Sequence, residues 1–260
     1  MVLMQRWQLK QSAKEQLRGK WGNMALKSFL VSIIPSGILW AAMLVFGTCF
    51  AVNTILPGAQ FGFGSFDLYA TGINGLAAVG IVLLIIAYLC VLIVKLALDF
   101  GFNDACIKLR SGEVTGAGAI FGRFNMLPRI LMYTLLVVLI CLPYIAVELL
   151  SSFFPGTVVN ILSFFMMLAY IYIALRLSMS VYILLENPYT TAWTSLKQSW
   201  YIMRGHCWRF FVLNLSFLGW ILLACLSLGI GMFWLLPYMS MTSVNFYYNI
   251  KEACLNTEQQ

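Results

Sequence analysis

The chain has 260 residues, 62% of them hydrophobic and 10% charged, against about 45–50% and about 25% in an ordinary soluble domain. That balance excludes a water-exposed globular enzyme and points to a multi-pass membrane protein. The formal net charge of +7 would suit nucleic acid, but in such a chain Lys and Arg report orientation first, so no nucleic-acid partner is expected. Without a ten-residue alternating strand pattern, helices are what satisfy the backbone, and the expected fold is an all-α polytopic helical bundle, one membrane domain over residues 1–260.

Residues 1–25 carry Arg6, Lys10, Lys14, Arg18 and Lys20, while Leu9, Ala13 and Leu17 share one face. This predicts a cytosolic amphipathic helix. The segment lacks an early apolar core of the kind a cleaved signal peptide needs, so it is expected to stay on the cytosolic side.

The first hairpin is expected over 26–100. Its spans run Leu26–Val52, with Pro35 inside, and Ile73–Leu98, joined by the cation-free loop Pro57–Gly72. Lys95 and Asp99 make an i,i+4 pair of opposite charge at its close. The second hairpin covers 101–186. It begins with an inner connecting segment bearing Lys108, Arg110, Arg123 and Arg129, and continues as spans Ile130–Leu149 and Val158–Leu185 around a turn at Phe154, Pro155 and Gly156. The fourth apolar stretch would be about 42 Å long as one helix, so it must tilt or protrude.

Residues 187–250 make an interfacial helix and the third hairpin. Asn187 reads as its N-cap, Pro188 as a first-turn residue and Gly205 as the stop. Tyr189, Trp193, Leu196, Trp200 and Met203 recur at helical spacing, predicting one apolar face. Spans Trp208–Leu228 and Met232–Ile250 follow, separated by Leu228, Gly229, Ile230 and Gly231, and 251–260 is a cytosolic tail. The six spans place all 16 Lys and Arg on inner segments or in the spans leading to them, as the positive-inside rule requires.

An internal repeat supports the same plan. Arg18-Gly19-Lys20-Trp21 precedes the first span much as Arg204-Gly205-His206-Cys207-Trp208 precedes the fifth, and Phe121-Gly122-Arg123-Phe124 precedes the third more weakly. The expected unit is a surface helix feeding a two-span hairpin, used three times in parallel orientation.

The segments ILLENP from Ile183, SLKQSWYIMRGH from Ser195 and FFVLNLSFLGWILLACLSLGIGMFWLLPY from Phe210, with the closing NFYYNI from Asn245, resemble a family of bacterial multi-pass proteins, domain of unknown function 975. The LRGKWG stretch from Leu17 to Gly22 fits it too. More distantly the chain resembles the membrane domain of some glycerophosphodiester phosphodiesterases. The charge distribution puts both termini on the cytosolic side, while the resemblance implies architecture, in a bacterial membrane. It carries over no activity and no catalytic residue.

No catalytic residue is assigned from the residues themselves. No GxSxG, HExxH or phosphate loop occurs, and the seven scattered cysteines with one histidine suggest neither a disulfide framework nor a metal or cofactor site. His206 reads as a cation near a helix C-terminus. Asp99, Asp104 and Glu186 read as partners of Lys95, Lys108 or Arg176. Arg176, a cation inside an apolar helix, has two readings: an anionic lipid or substrate site shared with Lys95, or an anchor that snorkels to the inner interface.

The expected function is therefore non-enzymatic. The cationic inner face would bind anionic lipid of the bilayer or a membrane-protein partner, with Lys95, Arg176, Lys197, Arg204 and Arg209 as candidate lipid or anion ligands. The alternative is a small transporter or exporter of a peptide or amphiphile, which requires Arg176, Asn214 and Asn245 to face a common cavity.

Overall fold

A computed structural model describes residues 4–55, 75–153, 156–187 and 189–258. The loop Pro57–Gly72, the turn residues Phe154 and Pro155, and Pro188 lie outside the described residues. All regular structure among those described is helical. In chain order the helices are α1 (Arg6–Leu17), α2 (Trp21–Ile55), α3 (Gly75–Arg110), α4 (Leu127–Phe153), α5 (Thr157–Leu177), α6 (Ser180–Glu186), α7 (Ala192–Ile202), α8 (Cys207–Leu215), α9 (Leu218–Leu226) and α10 (Met232–Glu258). Two 3-10 turns, Ala117–Phe121 and Phe124–Met126, connect α3 to α4.

Among the described residues, five stretches are long and apolar enough to cross a membrane: Trp21–Thr48, Ile81–Arg110, Ala117–Ser151, Thr157–Glu186 and Cys207–Leu226. They coincide with the first five expected spans. The sixth, Met232–Ile250, is not among them, because Pro237 and the polar residues that follow dilute its apolar character.

The chain divides into two compact units, Met1–Phe29 with Ala97–Gln260, and Leu30–Leu96. The second comprises the apolar middle of α2 and most of α3, and its Trp40, Leu44, Leu83 and Leu89 are exposed, as lipid-facing residues of a span would be.

In the first unit α1 packs on α10. Its buried residues are Leu9, Ala13 and Leu17, the face read from the sequence, and that face meets protein. Asn245 of α10 is 2% exposed, and its amide donates to Ser12 Oγ at 3.2 Å and Gln16 Oε1 at 2.9 Å while its Oδ1 accepts from Arg110 at 2.7 Å.

Pro237 explains a second tie. With no N–H it leaves the carbonyl of Phe233, four residues earlier, without its helical donor. The buried hydroxyl of Ser28 donates to that oxygen at 2.9 Å. Leaving such a group unpaired costs about 1–3 kcal/mol. Ser28→Ala should therefore lower the thermal midpoint in detergent by an amount equivalent to about 2 kcal/mol; an unchanged midpoint would show that the carbonyl finds another donor.

The apolar run expected as one long fourth span is interrupted at Ser178 and Met179, between α5 and α6. There Ser178 Oγ donates to the Leu175 carbonyl at 2.8 Å, and Ser180 Oγ lies 2.8 Å from the Tyr133 hydroxyl. The fifth span is likewise broken, between α8 and α9. The Ser216 carbonyl freed at that break accepts from Lys10 Nζ at 3.2 Å.

The repeat holds in its backbone at two of three places. Gly19 and Gly205 both take left-handed conformations, φ 76° and 82°, which favour glycine after a helix. Gly122 has φ −64°. The surface helix expected before the third span is replaced by the two 3-10 turns.

Candidate functional site

The interfacial segment starts later than Asn187 and Pro188 suggested. Thr191 is the N-cap of α7, its hydroxyl accepting from the Thr194 N–H at 3.3 Å, while Asn187 closes α6 by donating its N–H to the Ile183 carbonyl at 3.3 Å. A side chain that short caps only the helix beginning next to it, and α6 consumes Asn187 first.

The buried face of α7 is also rotated. Ala192, Ser195, Leu196, Ser199 and, just beyond the helix, Met203 are buried against α4, α5 and α6, whereas Tyr189, Trp193 and Trp200 are exposed. Small residues let the backbones approach, and their hydroxyls stay satisfied: Ser195 Oγ donates to the Ala192 carbonyl and Ser199 Oγ to the Arg176 carbonyl, each at 2.8 Å. Apolar periodicity identified the helix but not which of two overlapping faces docks. The rings therefore share the outer face with Lys197, whose ammonium lies 5.2 Å from the Trp193 ring centroid.

Arg176 ends α5 beneath that outer face. It is 6% exposed. Its guanidinium carbon sits 4.4 Å from the Trp200 ring centroid and 5.8 Å from that of Tyr172. Its Nε is buried with no hydrogen-bond partner, and no carboxylate among the described residues lies within ion-pair distance of it.

The remaining candidates lie on other elements. Arg204 is exposed in the turn after α7. Arg209 on α8 is half-buried, with Nη2 donating to the Met4 carbonyl at 2.7 Å and Nη1 buried without a partner. Lys95 is exposed on α3 in the other unit. His206 sits at the N-terminal cap of α8 and is not the helix C-terminal cation expected. Burial, with Arg209 adding to it, lowers its pKa, which disfavours the charged imidazole.

Asp104 keeps a partner read from the sequence, Lys108, whereas Glu186 takes another. Glu186 accepts from Lys251 Nζ and the Tyr247 hydroxyl, both at 2.6 Å on Oε2, rather than pairing with Arg176. Asp104 pairs with Lys108 at 3.2 Å and with Arg123. Lys27, which sequence reasoning passed over, is 1% exposed and donates to the Thr115 carbonyl at 2.9 Å and hydroxyl at 2.7 Å. The signal was a lysine one residue inside the first apolar run.

The three polar residues a transport path would need have separate partners. Arg176 stacks on Trp200, Asn214 donates to the Phe210 carbonyl of its own helix at 2.9 Å, and Asn245 joins α1 to Arg110.

A family model described as Protein of unknown function (DUF975) matches residues 1–254. No curated protein and no solved structure matches the chain, and the match carries nothing of the glycerophosphodiester phosphodiesterase likeness.

Proposed function

The chain belongs to the DUF975 family, and on that premise we propose that it is a non-enzymatic protein of the bacterial cytoplasmic membrane that holds a phosphate-bearing, anionic lipid at its cationic inner face. In this reading it crosses six times as three hairpins with both termini cytosolic. The polar character of α10 fits a sixth crossing, since Thr242 and Asn245 are turned into protein, 0% and 2% exposed, where polar groups of a span belong.

Arg176 carries the reading. A cation–π contact away from water contributes about 2 kcal/mol, while the effective penalty of desolvating an ion is several kcal/mol. Trp200 alone does not offset the burial of Arg176. A lipid phosphate would close the difference, and the outer face of α7 suits it, with exposed Trp193 and Trp200 at headgroup depth and Lys197 and Arg204 beside them. Only the Nε of Arg176 is buried without a partner, so its Nη groups face the opening that a lipid head would fill. The separate partners of Arg176, Asn214 and Asn245 leave the transporter reading without support.

The test is native mass spectrometry of protein extracted gently from its own membrane. The wild type should retain a phosphate-headed lipid that Arg176→Leu loses and that Arg176→Lys, which lacks the planar stacking fork, holds less well. Identical spectra for all three proteins would overturn the proposal.

A further inference from the structure

A cavity of about 640 Å³ lies between α6, α7 and the C-terminal part of α10, within the roughly 300–1,000 Å³ range of small-ligand sites. Among the described residues its only acidic lining residue is Glu186. The Glu186 carboxylate is already matched by Lys251 and hydrogen-bonded by Tyr247. Lys197, also on the wall, has no carboxylate within ion-pair distance among the described residues. The cavity therefore holds one surplus positive charge, with Gln198 and Tyr201 beside it as neutral hydrogen-bonding groups. Ile183, Ile202 and Leu255 supply apolar wall.

Size narrows the ligand. At roughly 30 Å³ for each water-sized group, the space accommodates about 20 non-hydrogen atoms, enough for a phosphate and one chain of about a dozen carbons. The space is an open groove, so a two-chain phospholipid would leave most of its chains outside it.

We propose that this cavity binds a single-chain amphiphile with a phosphate head, the head against Lys197, Gln198 and Tyr201 and the chain along Ile202 and Leu255. The proposal rests on the lipid reading above for the chemistry of its ligand and on its own side chains for its place.

The test uses the full chain in phosphatidylcholine nanodiscs, free of anionic lipid, titrated with dodecyl phosphate and followed by native mass spectrometry. Inorganic phosphate and dodecyltrimethylammonium serve as head-only and charge-reversed probes. In the Arg176→Leu background, where the other phosphate site is removed, one dodecyl phosphate should bind per chain, and neither control should match it. Lys197→Gln removes the surplus charge and Leu255→Trp fills the chain end; both positions are exposed, so both variants should fold. Each should weaken binding tenfold or more in that background, about 1.4 kcal/mol. Binding insensitive to both cavity variants would overturn the proposal. Equal binding of inorganic phosphate would overturn the chain-binding part, and equal binding of dodecyltrimethylammonium the anionic head. Lys197 borders both sites, so the Arg176 reading is decided apart from these results, by the lipid that wild type and Arg176→Leu retain from their own membrane.

Discussion

Gly101→Ala should destabilise the protein by about 2 kcal/mol or more, at the upper part of the range for overpacking a core, although helix propensity alone would favour alanine by about 1 kcal/mol. Gly101 lies inside α3, where a glycine is ordinarily a weakness. A Cβ built there meets the Ile120 carbonyl oxygen at 1.9 Å, its carbon at 2.7 Å and its Cα at 2.9 Å. All three are backbone atoms, which cannot rotate aside as a side-chain tip could. The substitution therefore has to push the 3-10 turn Ala117–Phe121 off the helix and expose Ile120, which is 0% exposed. Gly22→Ala is the control, because nothing lies within 4 Å of that added Cβ. It should gain up to about 1 kcal/mol from propensity. Thermal unfolding of both variants in detergent, followed by tryptophan fluorescence, separates the two effects. A Gly101→Ala protein as stable as the wild type would mean that the turn does not sit this close to α3.

The contrast shows what the sequence could carry. Five apolar stretches, the N-terminal helix with its Leu9, Ala13 and Leu17 face, and the Arg18-Gly19 and Arg204-Gly205 turns were legible because each is written in local spacing. The close approach at Gly101 was not, since two segments 19 residues apart in sequence meet there and neither has a pattern that records the other. Serine breaks were also missed. Ser178 and Ser216 turn inside runs whose hydropathy is continuous, and hydroxyls bonding to the preceding turn leave no periodic trace.

The candidate site was legible in its residue types and illegible in its geometry. A cation at Arg176 stood out against an apolar helix, but whether it reached water or a ring depended on how α5 lies against α7. On α7 two faces compete, one of Trp193 and Trp200 and one of Ser195 and Ser199. A soluble helix would bury the aromatic face. Where lipid replaces water, rings gain nothing by leaving the surface, and packing selects the small residues instead. That inversion puts Trp200 over Arg176 and turns a candidate anchor into a candidate binding residue.

Asp104→Asn is the second change with a large expected effect, and it acts on the same connection as Gly101. The two residues are three apart on α3 and so share a face. Where Gly101 lets Ile120 approach, the Asp104 carboxylate, 6% exposed, holds Arg123 and Lys108. Thr115, at the start of the connection, is held from α2 by Lys27. Breaking a buried ion pair by removing one partner costs about 3–5 kcal/mol, because the other charge is left without compensation. Arg123 and Lys108 retain 23% and 40% side-chain exposure, so solvent relieves part of that loss and the expected cost is about 2–3 kcal/mol. Asparagine keeps the shape and one acceptor for Arg123 but turns an amide donor toward an ammonium. Hydrogen exchange distinguishes local release from general weakening: residues 115–126 should lose protection first, while α1 and α10, tied through Asn245, keep theirs. If Asp104→Leu combined with Arg123→Met recovers most of the loss, the ion pair specifies the position of the connection more than it stabilises the fold. If the double variant loses as much as the sum of the two single changes, the two side chains act independently and the bridge is not what holds the connection down.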